Sequence, residues 1–249
     1  MPEPYYADEH VTLYLGDSRA ILPGLNLQAD CVITDPPYGE TALAWDQWPT
    51  DWPAPVAAAS NSMWCFGSMR MFLEHGAELA AAGWKLSQDV IWEKANGSGF
   101  ATDRFRRVHE IATHWYRGNW ADIHHDTPRT AYSGPDKSAR ARGSRTPHTG
   151  TIGAHTYADN GTRLARSVIK AGAVRHQKRH PTEKPIEVLI PLIEYACPPG
   201  GLVLDPFAGS GSTLDAARLT GRRGIGIEAN EQYAEAAANR LSALVLDIA

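Results

Sequence analysis

Residues 200–213, GGLVLDPFAGSGST, limit the fold of this chain more than any other stretch. Leu202-Val203-Leu204 is a short apolar run of the kind that forms a buried strand, and Asp205 closes it. A loop of small residues follows and leads into TLDAARLTG, residues 213–221, which reads as a helix. A strand, a glycine loop and a helix bring backbone close to a ligand. No Lys precedes Ser212-Thr213, so this is not a phosphate-cradling P-loop. The loop also lacks the G-x-G-x-x-G spacing that serves a pyrophosphate. The next strand, RRGIGIEAN (222–230), carries Glu228 at its end, 23 positions beyond Asp205. In doubly wound folds an acid about 20 residues past the glycine loop binds ribose hydroxyls. The segment therefore suits a nucleoside without a pyrophosphate; the alternative is a glycine turn of purely structural purpose.

The rest of the chain supplies the sheet such a loop needs. VTLYLGD (11–17) alternates Val11, Leu13 and Leu15 with Thr12 and Tyr14, a period-2 strand. DCVITD (30–35) is an apolar run stopped by Pro36, and SMWCFGS (62–68) is another apolar run. MRMFLEHGAELAAAG (69–83) predicts a helix ending at Gly83. WKLSQDVIWEK (84–94) and HEIATHWYR (109–117) read as strands. EKPIEVLIPLIEYAC (183–197) spaces Ile186, Leu189, Ile190 and Ile193 as a helix does. Asn230 is placed to cap the helix EQYAEAAANRLSAL, whose Tyr233, Ala237, Leu241 and Leu244 share one face. Strands alternating with helices imply an α/β fold with a mostly parallel sheet. The 249 residues are expected to form one domain, large enough to bury a core without disulfides.

Composition narrows the setting. The three cysteines, Cys31, Cys65 and Cys197, are far apart, and no C-x-x-C pair occurs, which points to a reducing cytoplasm. Cys31 reads as core. The opening MPEPYYADEH has neither a basic head nor an apolar run, so no signal peptide is expected, and no apolar run approaches the ~20 residues of a membrane span. The net charge of −4 hides an asymmetry: residues 117–180 hold 12 Lys and Arg against four acids. A basic segment on an acidic body suggests a polyanion site, or else a solvated loop. SGPDKSARARGSRTPHTGTIGAHTYADNGTR (133–163) has too few apolar residues to build a core and is expected to be an inserted loop, ordered with a partner. His124-His125 and His176-x₃-His180 have no cysteine beside them and no ligand spacing, so no metal is expected.

The stretch CVITDPPYGE (31–40) delivers a carboxylate, Asp35, then two residues without a backbone donor, Pro36 and Pro37, then the ring of Tyr38. Alone, it reads as a rigid turn capping a strand. Together with DPFAGSGST, HPTEKP (180–185), VIWEK (90–94) and HEIATHWYRG (109–118), it resembles the amino-group DNA methyltransferases. The order of these motifs, DPPY first and the glycine loop last, resembles the beta group, a circular permutation of the common arrangement. The resemblance covers residues 11–245 apart from 118–175. It implies a Rossmann-like class I S-adenosylmethionine-dependent fold, with 118–175 as an inserted target-recognition region. It also implies double-stranded DNA with a flipped base as substrate, S-adenosylhomocysteine as coproduct and no metal. Beta-group relatives are often dimers, so a homodimer is implied as well.

Carried over residue by residue, the resemblance puts Asp205, Pro206, Phe207, Ala208, Gly209, Ser210, Gly211 and Ser212 around the cofactor. Glu228 and Ala229 would lie at its ribose, Asp17 near its adenine, and Asp35 beside it. Thr182 and Lys184 would hold its methionine carboxylate. Asp35, Pro36, Pro37 and Tyr38 would be catalytic. The amino nitrogen of adenine is a poor nucleophile because its lone pair is delocalised. Asp35 and the Pro36 carbonyl can each accept one of its N–H groups, favouring the pyramidal form, and the Tyr38 ring can stack on an extruded base. Arg129, Lys137, Arg140, Arg142, Arg145, Arg163, Arg166, Arg175, Lys178 and Arg179 can neutralise phosphates. The expected reaction is methylation of adenine N6. An N4-cytosine enzyme, in which Ser more often stands at the Asp35 position, and a catalytically silent DNA-binding relative are the alternatives. Protein- and RNA-directed relatives usually place the glycine loop first.

Overall fold

The computed structural model describes residues 2–98, 102–148, 150–172 and 183–246. They divide into two compact units, one of Met1–Asp126 with Ser167–Ala249 and one of Thr127–Arg166. The first unit begins with β1 (Tyr6–Ala7), β2 (Val11–Leu15), α1 (Ser18–Leu25), β3 (Cys31–Thr34), α2 (Pro53–Ala59), β4 (Ser62–Gly67), α3 (Met69–Ala81), β5 (Lys85–Ser98) and β6 (Arg107–Tyr116). The second holds β7 (Arg129–Ala131), β8 (Ala139–Ala141), β9 (Ser144–Thr146), β10 (Gly150–Ile152), β11 (His155–Tyr157) and β12 (Thr162–Leu164). The first resumes with β13 (Val168–Ala171), α4 (Ile186–Ala196), β14 (Leu202–Asp205), α5 (Ser212–Leu219), β15 (Arg223–Glu228) and α6 (Glu231–Leu246). No helix among the described residues is long and apolar enough to cross a membrane.

Nine strands of the first unit form one sheet in the order β1-β2-β15-β14-β3-β4-β6-β5-β13. From β2 to β4 every neighbouring pair is parallel. β6 runs antiparallel to both β4 and β5. The reason is local: among the described residues no helix lies between β5 and β6, and a short connection turns the chain back on itself. β3 and β4 are buried at every residue, as strands covered on both faces must be. Cys31 and Ile33 join Trp64, Phe66 and Val203 under the α4 residues Val188, Leu189, Leu192 and Ile193. On the other face Val32 joins Met63, Cys65 and Leu204 beneath Leu22, Val56, Met71 and Leu79 of α1, α2 and α3. This is the mostly parallel α/β sheet that the alternating pattern predicts, in the Rossmann-like form that the resemblance implies.

The helix boundaries follow from single residues. Ser68 caps α3 by accepting from the Met71 amide at 3.0 Å, and Gly83 takes φ +87° just beyond its end. α4 starts at Ile186, later than the expected 183, because Pro185 pushes the residue before it out of the helical region. Glu183 and Lys184 consequently lie in a loop. α1 and α2 had no clear periodic signal, since Pro23 and Gly24 sit inside the one and two prolines open the other.

The second unit corrects the expectation of an irregular loop at 133–163. β7 pairs with β12, β8 with β11 and β9 with β10, all antiparallel, as three short ribbons nested about one turn region. Their residues are mostly exposed, so the ribbons rest on backbone pairing without a core of their own. The unit is also narrower than 118–175, because β13 pairs with β5 at the edge of the main sheet.

Candidate active site

The chain leaves β3 toward β4 through α2 and leaves β14 toward β15 through α5, on opposite sides. Two neighbouring parallel strands that part in this way open a crevice at their carboxyl ends, where doubly wound folds bind ligands. Asp35 directly follows β3, and Asp205 ends β14. Between them lies a cavity of about 480 Å³, within the usual range for small-molecule sites. Asp35, Pro36, Pro37 and Tyr38 line one wall, and the run from Asp205 to Ser210, with Ser212, lines another. Asp17, Lys184, Glu228 and Ala229 also face it. Gly211 backs the wall: at φ +77° its amide donates to the Ala208 carbonyl at 2.8 Å, and a Cβ there would stand 3.1 Å from that of Ala237. Thr182 lies outside the described residues.

The DPPY loop is held by a residue that no motif marks. The Asp46 carboxylate accepts the amides of Tyr38 at 2.8 Å, Gly39 at 2.9 Å, Glu40 at 3.1 Å and Thr41 at 2.7 Å. Pro36 and Pro37 have no N–H to place, so the loop's first available amides all converge on one buried side chain. Burial alone would lift the Asp46 carboxyl, but the bonds from Thr41, Gly39 and Tyr38 outweigh it and hold it below its usual range.

Five ionisable groups form a chain, and four of them, Tyr38, Asp35, Lys184 and Glu110, line the cavity. The Tyr38 hydroxyl donates to Asp35 Oδ1, and Lys184 Nζ donates to Asp35 Oδ2. The same ammonium lies 3.3 Å from Glu110 Oε2, and Lys94 Nζ donates to Glu110 Oε1. Burial would lift Glu110, yet Lys184 and Lys94 hold it down at about 2. Asp35 is raised, first by burial and then by the Glu110 charge, against the pull of Lys184. Lys184 is kept charged: burial opposes its charge, and the two carboxylates overcome that. Lys184, carried over as a holder of the cofactor's methionine carboxylate, here bridges Asp35 and Glu110 as well as facing the cavity. Tyr38 likewise spends its hydroxyl on Asp35 while its ring is partly packed against the core.

The glycine loop is held as firmly. Glu228 Oε2 accepts the Gly209 amide and Oε1 the Asn230 amide, both at 2.8 Å. Burial raises the Glu228 carboxyl above its ordinary value. Burial also pushes Asp205 up to about 7, and its Oδ1 accepts the Phe207 amide at 3.1 Å. Arg240 of α6 donates to Ser212 Oγ at 2.7 Å and to the Ser210 carbonyl at 3.3 Å, and it also pairs with Glu183. Phe207 meets Trp52 edge-on at 5.4 Å, and Trp45 meets Tyr233 edge-on at 6.2 Å. Asp17 caps α1 through the Arg19 amide at 2.9 Å. Sequence reading did not single out Glu110, Asp46 or Arg240. The family-like segment HEIATHWYRG contains Glu110 and was the one available signal.

Among the basic candidates, Arg129, Lys137, Arg140, Arg142, Arg145 and Arg166 are exposed in the second unit or at its end. Arg163 is engaged within that unit: Asp159 takes two of its nitrogens at 2.6 and 2.8 Å, and its guanidinium sits 3.7 Å from the Tyr132 ring centre. Arg175, Lys178 and Arg179 lie outside the described residues.

Comparison with known proteins agrees with this fold. The type II methyltransferase M.ScaI of Streptomyces caespitosus is 26% identical over 269 aligned positions, covering 97% of this chain and 84% of that one. YubD of Escherichia coli (strain K12) is 58% identical over 67 residues, which is 27% of this chain and 30% of the length of that protein. The M1.HpyAVI–SAM complex superposes with a TM-score of 0.64 at 24% identity, over 92% of this chain and 99% of that one. The cytosine-N4-specific PvuII DNA methyltransferase superposes at 0.63 with 16% identity, over 96% and 89%. At those identities the superpositions speak for the fold. The family model described as DNA methylase, N6/N4 type, matches residues 29–239, and the chain belongs to that family.

Proposed function

We propose that this chain transfers a methyl group from S-adenosylmethionine to the N6 amino group of adenine in duplex DNA. The observation that carries the reading is the meeting of Asp35-Pro36-Pro37-Tyr38 and the Asp205–Ser212 loop in one cavity at the switch point of the sheet. The residues fit a nucleoside sulfonium. Glu228 is an acceptor for ribose hydroxyls facing the cavity, and Phe207 and Tyr233 offer apolar walls. When bound, that cofactor supplies an already activated methyl group, so the work of the protein is positioning.

Asp35 uses one lone pair of each oxygen on Tyr38 and Lys184, and a carboxylate has about four such sites, so both oxygens can still accept an amino N–H. Lys184 opposes the effect of burial and supports the ionised, accepting form of Asp35. The Tyr38 ring gives an extruded base a surface beside that acceptor. The exposed Arg140, Arg142 and Arg145 of the ribbons are suited to phosphates.

The test is modification mapping of DNA from cells expressing the chain, with Asp35→Ala as control. The expected result is N6-methyladenine at one short motif with the wild type and none with the variant, which still binds S-adenosylmethionine in calorimetry. N4-methylcytosine at such a motif would move the assignment to the other base of the family. Unmodified DNA from cells with folded, cofactor-binding protein would overturn the enzymatic reading in favour of a silent DNA-binding relative.

A further inference from the structure

Phe105 is the most exposed large apolar residue described, at 101% of its reference surface. It lies on the connection between β5 and β6, with exposed Arg104, Arg106 and Arg107 around it. Residues 103–107 hold three arginines and one acid, Asp103, which pairs with Arg104 at 2.7 Å. Arg107 lies 3.4 Å from Glu40, whose amide is bonded to the Asp46 carboxylate that also holds Tyr38. Glu110, which lines the cavity, stands five residues from Phe105. At ~3.4 Å per extended residue the two backbones are at most about 17 Å apart.

We propose that Phe105 is a wedge that enters the base stack beside the target nucleotide, an inference that rests on the DNA reading above. The described residues on either side of Phe105 are arginines, Arg104 and Arg106, with Arg107 next, and three arginines suit an anionic surface better than a hydrophobic one. Duplex DNA combines an anionic exterior with flat apolar layers inside, and its grooves admit side chains that part base steps. A base turned out into the cavity leaves a gap in the stack. A phenyl ring a short distance along the same strand can fill that gap, restoring stacking to the neighbouring bases while the arginines hold the flanking phosphates.

Full exposure of Phe105 means that its replacement leaves the core intact. The experiment compares wild type, Phe105→Ala and Phe105→Trp, each saturated with S-adenosylmethionine. The substrates are a matched duplex carrying the mapped motif and the same duplex with the target base mispaired. Phe105→Ala is expected to lose about 5- to 150-fold in kcat/KM on the matched duplex, the range of one base–aromatic stack. Phe105→Trp is expected to stay within about threefold of wild type, since it keeps a π face. The Phe105→Ala loss should shrink on the mispaired duplex, where extrusion costs less, and cofactor affinity should be unchanged. A wild-type rate for Phe105→Ala on the matched duplex, or an equal loss on both duplexes, overturns the wedge alone. So does a wild-type dimer in sedimentation velocity that Phe105→Ala converts to monomer, which would assign the ring to a contact between copies. A wild-type chain that methylates no DNA overturns the functional reading and the wedge with it.

Discussion

Asp35 and Glu110 are two carboxylates tied to one ammonium, and their pKa values are displaced in opposite directions, Asp35 upward and Glu110 downward. Glu110 has Lys94 as a second cation and stays ionised down to about 2, whereas Asp35 is lifted by burial and by the Glu110 charge. On the proposed reaction, Glu110 acts through Asp35 and Lys184, as a positioning residue. Replacing Glu110 with Gln removes a negative charge that raises Asp35, so the Asp35 pKa falls. If transfer needs ionised Asp35, the acid limb of the single-turnover rate moves to lower pH in Glu110→Gln. A limb that stays in place or moves up would remove Glu110 from this role. The same geometry changes what Tyr38 contributes. Its hydroxyl bonds to a charged acceptor, so the ring face is only part of what the residue supplies.

At the scale of elements, two connections carry the site: Asp46 holds one, and Asp205, Glu228 and Arg240 hold the other. Asp46 gathers four amides of the DPPY loop, and removing it leaves those donors without a partner. Asp46→Ala should speed hydrogen exchange at residues 38–41 and lower the transfer rate by about tenfold or more, since each orphaned donor costs about 1–3 kcal/mol. Cofactor affinity should hardly change, because Asp205 and Glu228 are untouched. Unchanged exchange at 38–41 would show that the loop is held by other means. Asp205, at the end of β14, has a folded pKa of about 7 against 3.8 for an ordinary aspartate. The folded state holds this proton more tightly, so its contribution is fully present below about pH 4 and is lost as pH rises through about 7. Asn mimics the protonated form at every pH. The Tm of Asp205→Asn should therefore gain on wild type between pH 4 and pH 8, and a difference independent of pH would contradict the shift.

The whole molecule combines an acidic body with a basic insertion, and the ribbons show how so polar a segment can be ordered. Cross-strand pairing satisfies its backbone, and the exposed side chains remain available. If Arg140, Arg142 and Arg145 meet phosphates, replacing all three by Ala should flatten the slope of log affinity against log salt by about 2 to 3, at ~0.9 per contact. Arg163→Ala should alter that slope less, because Asp159 and Tyr132 already engage its guanidinium. A triple variant with the wild-type slope would leave these arginines as solvated loop residues.

The sequence by itself determined the features that depend on near neighbours. Apolar runs ended by Asp35 and Asp205, a glycine loop before a helix and an acid ending the next strand each lie within a few residues, so local periodicity and turn chemistry reveal them. Those signals were enough for the α/β class, while the motif order and most of the residues that line the cavity came through the resemblance to the amino-group DNA methyltransferases. Tertiary structure alone decided that Lys184, 149 positions from Asp35, bridges it to Glu110. It also decided that Asp46 gathers the loop amides, that β6 runs against its neighbours, and that the polar insertion pairs as ribbons. Strand order sets these contacts, and the hydrophobic pattern of a strand specifies which faces it buries without specifying which strand lies beside it. A charge's partner therefore appears only once the sheet is assembled.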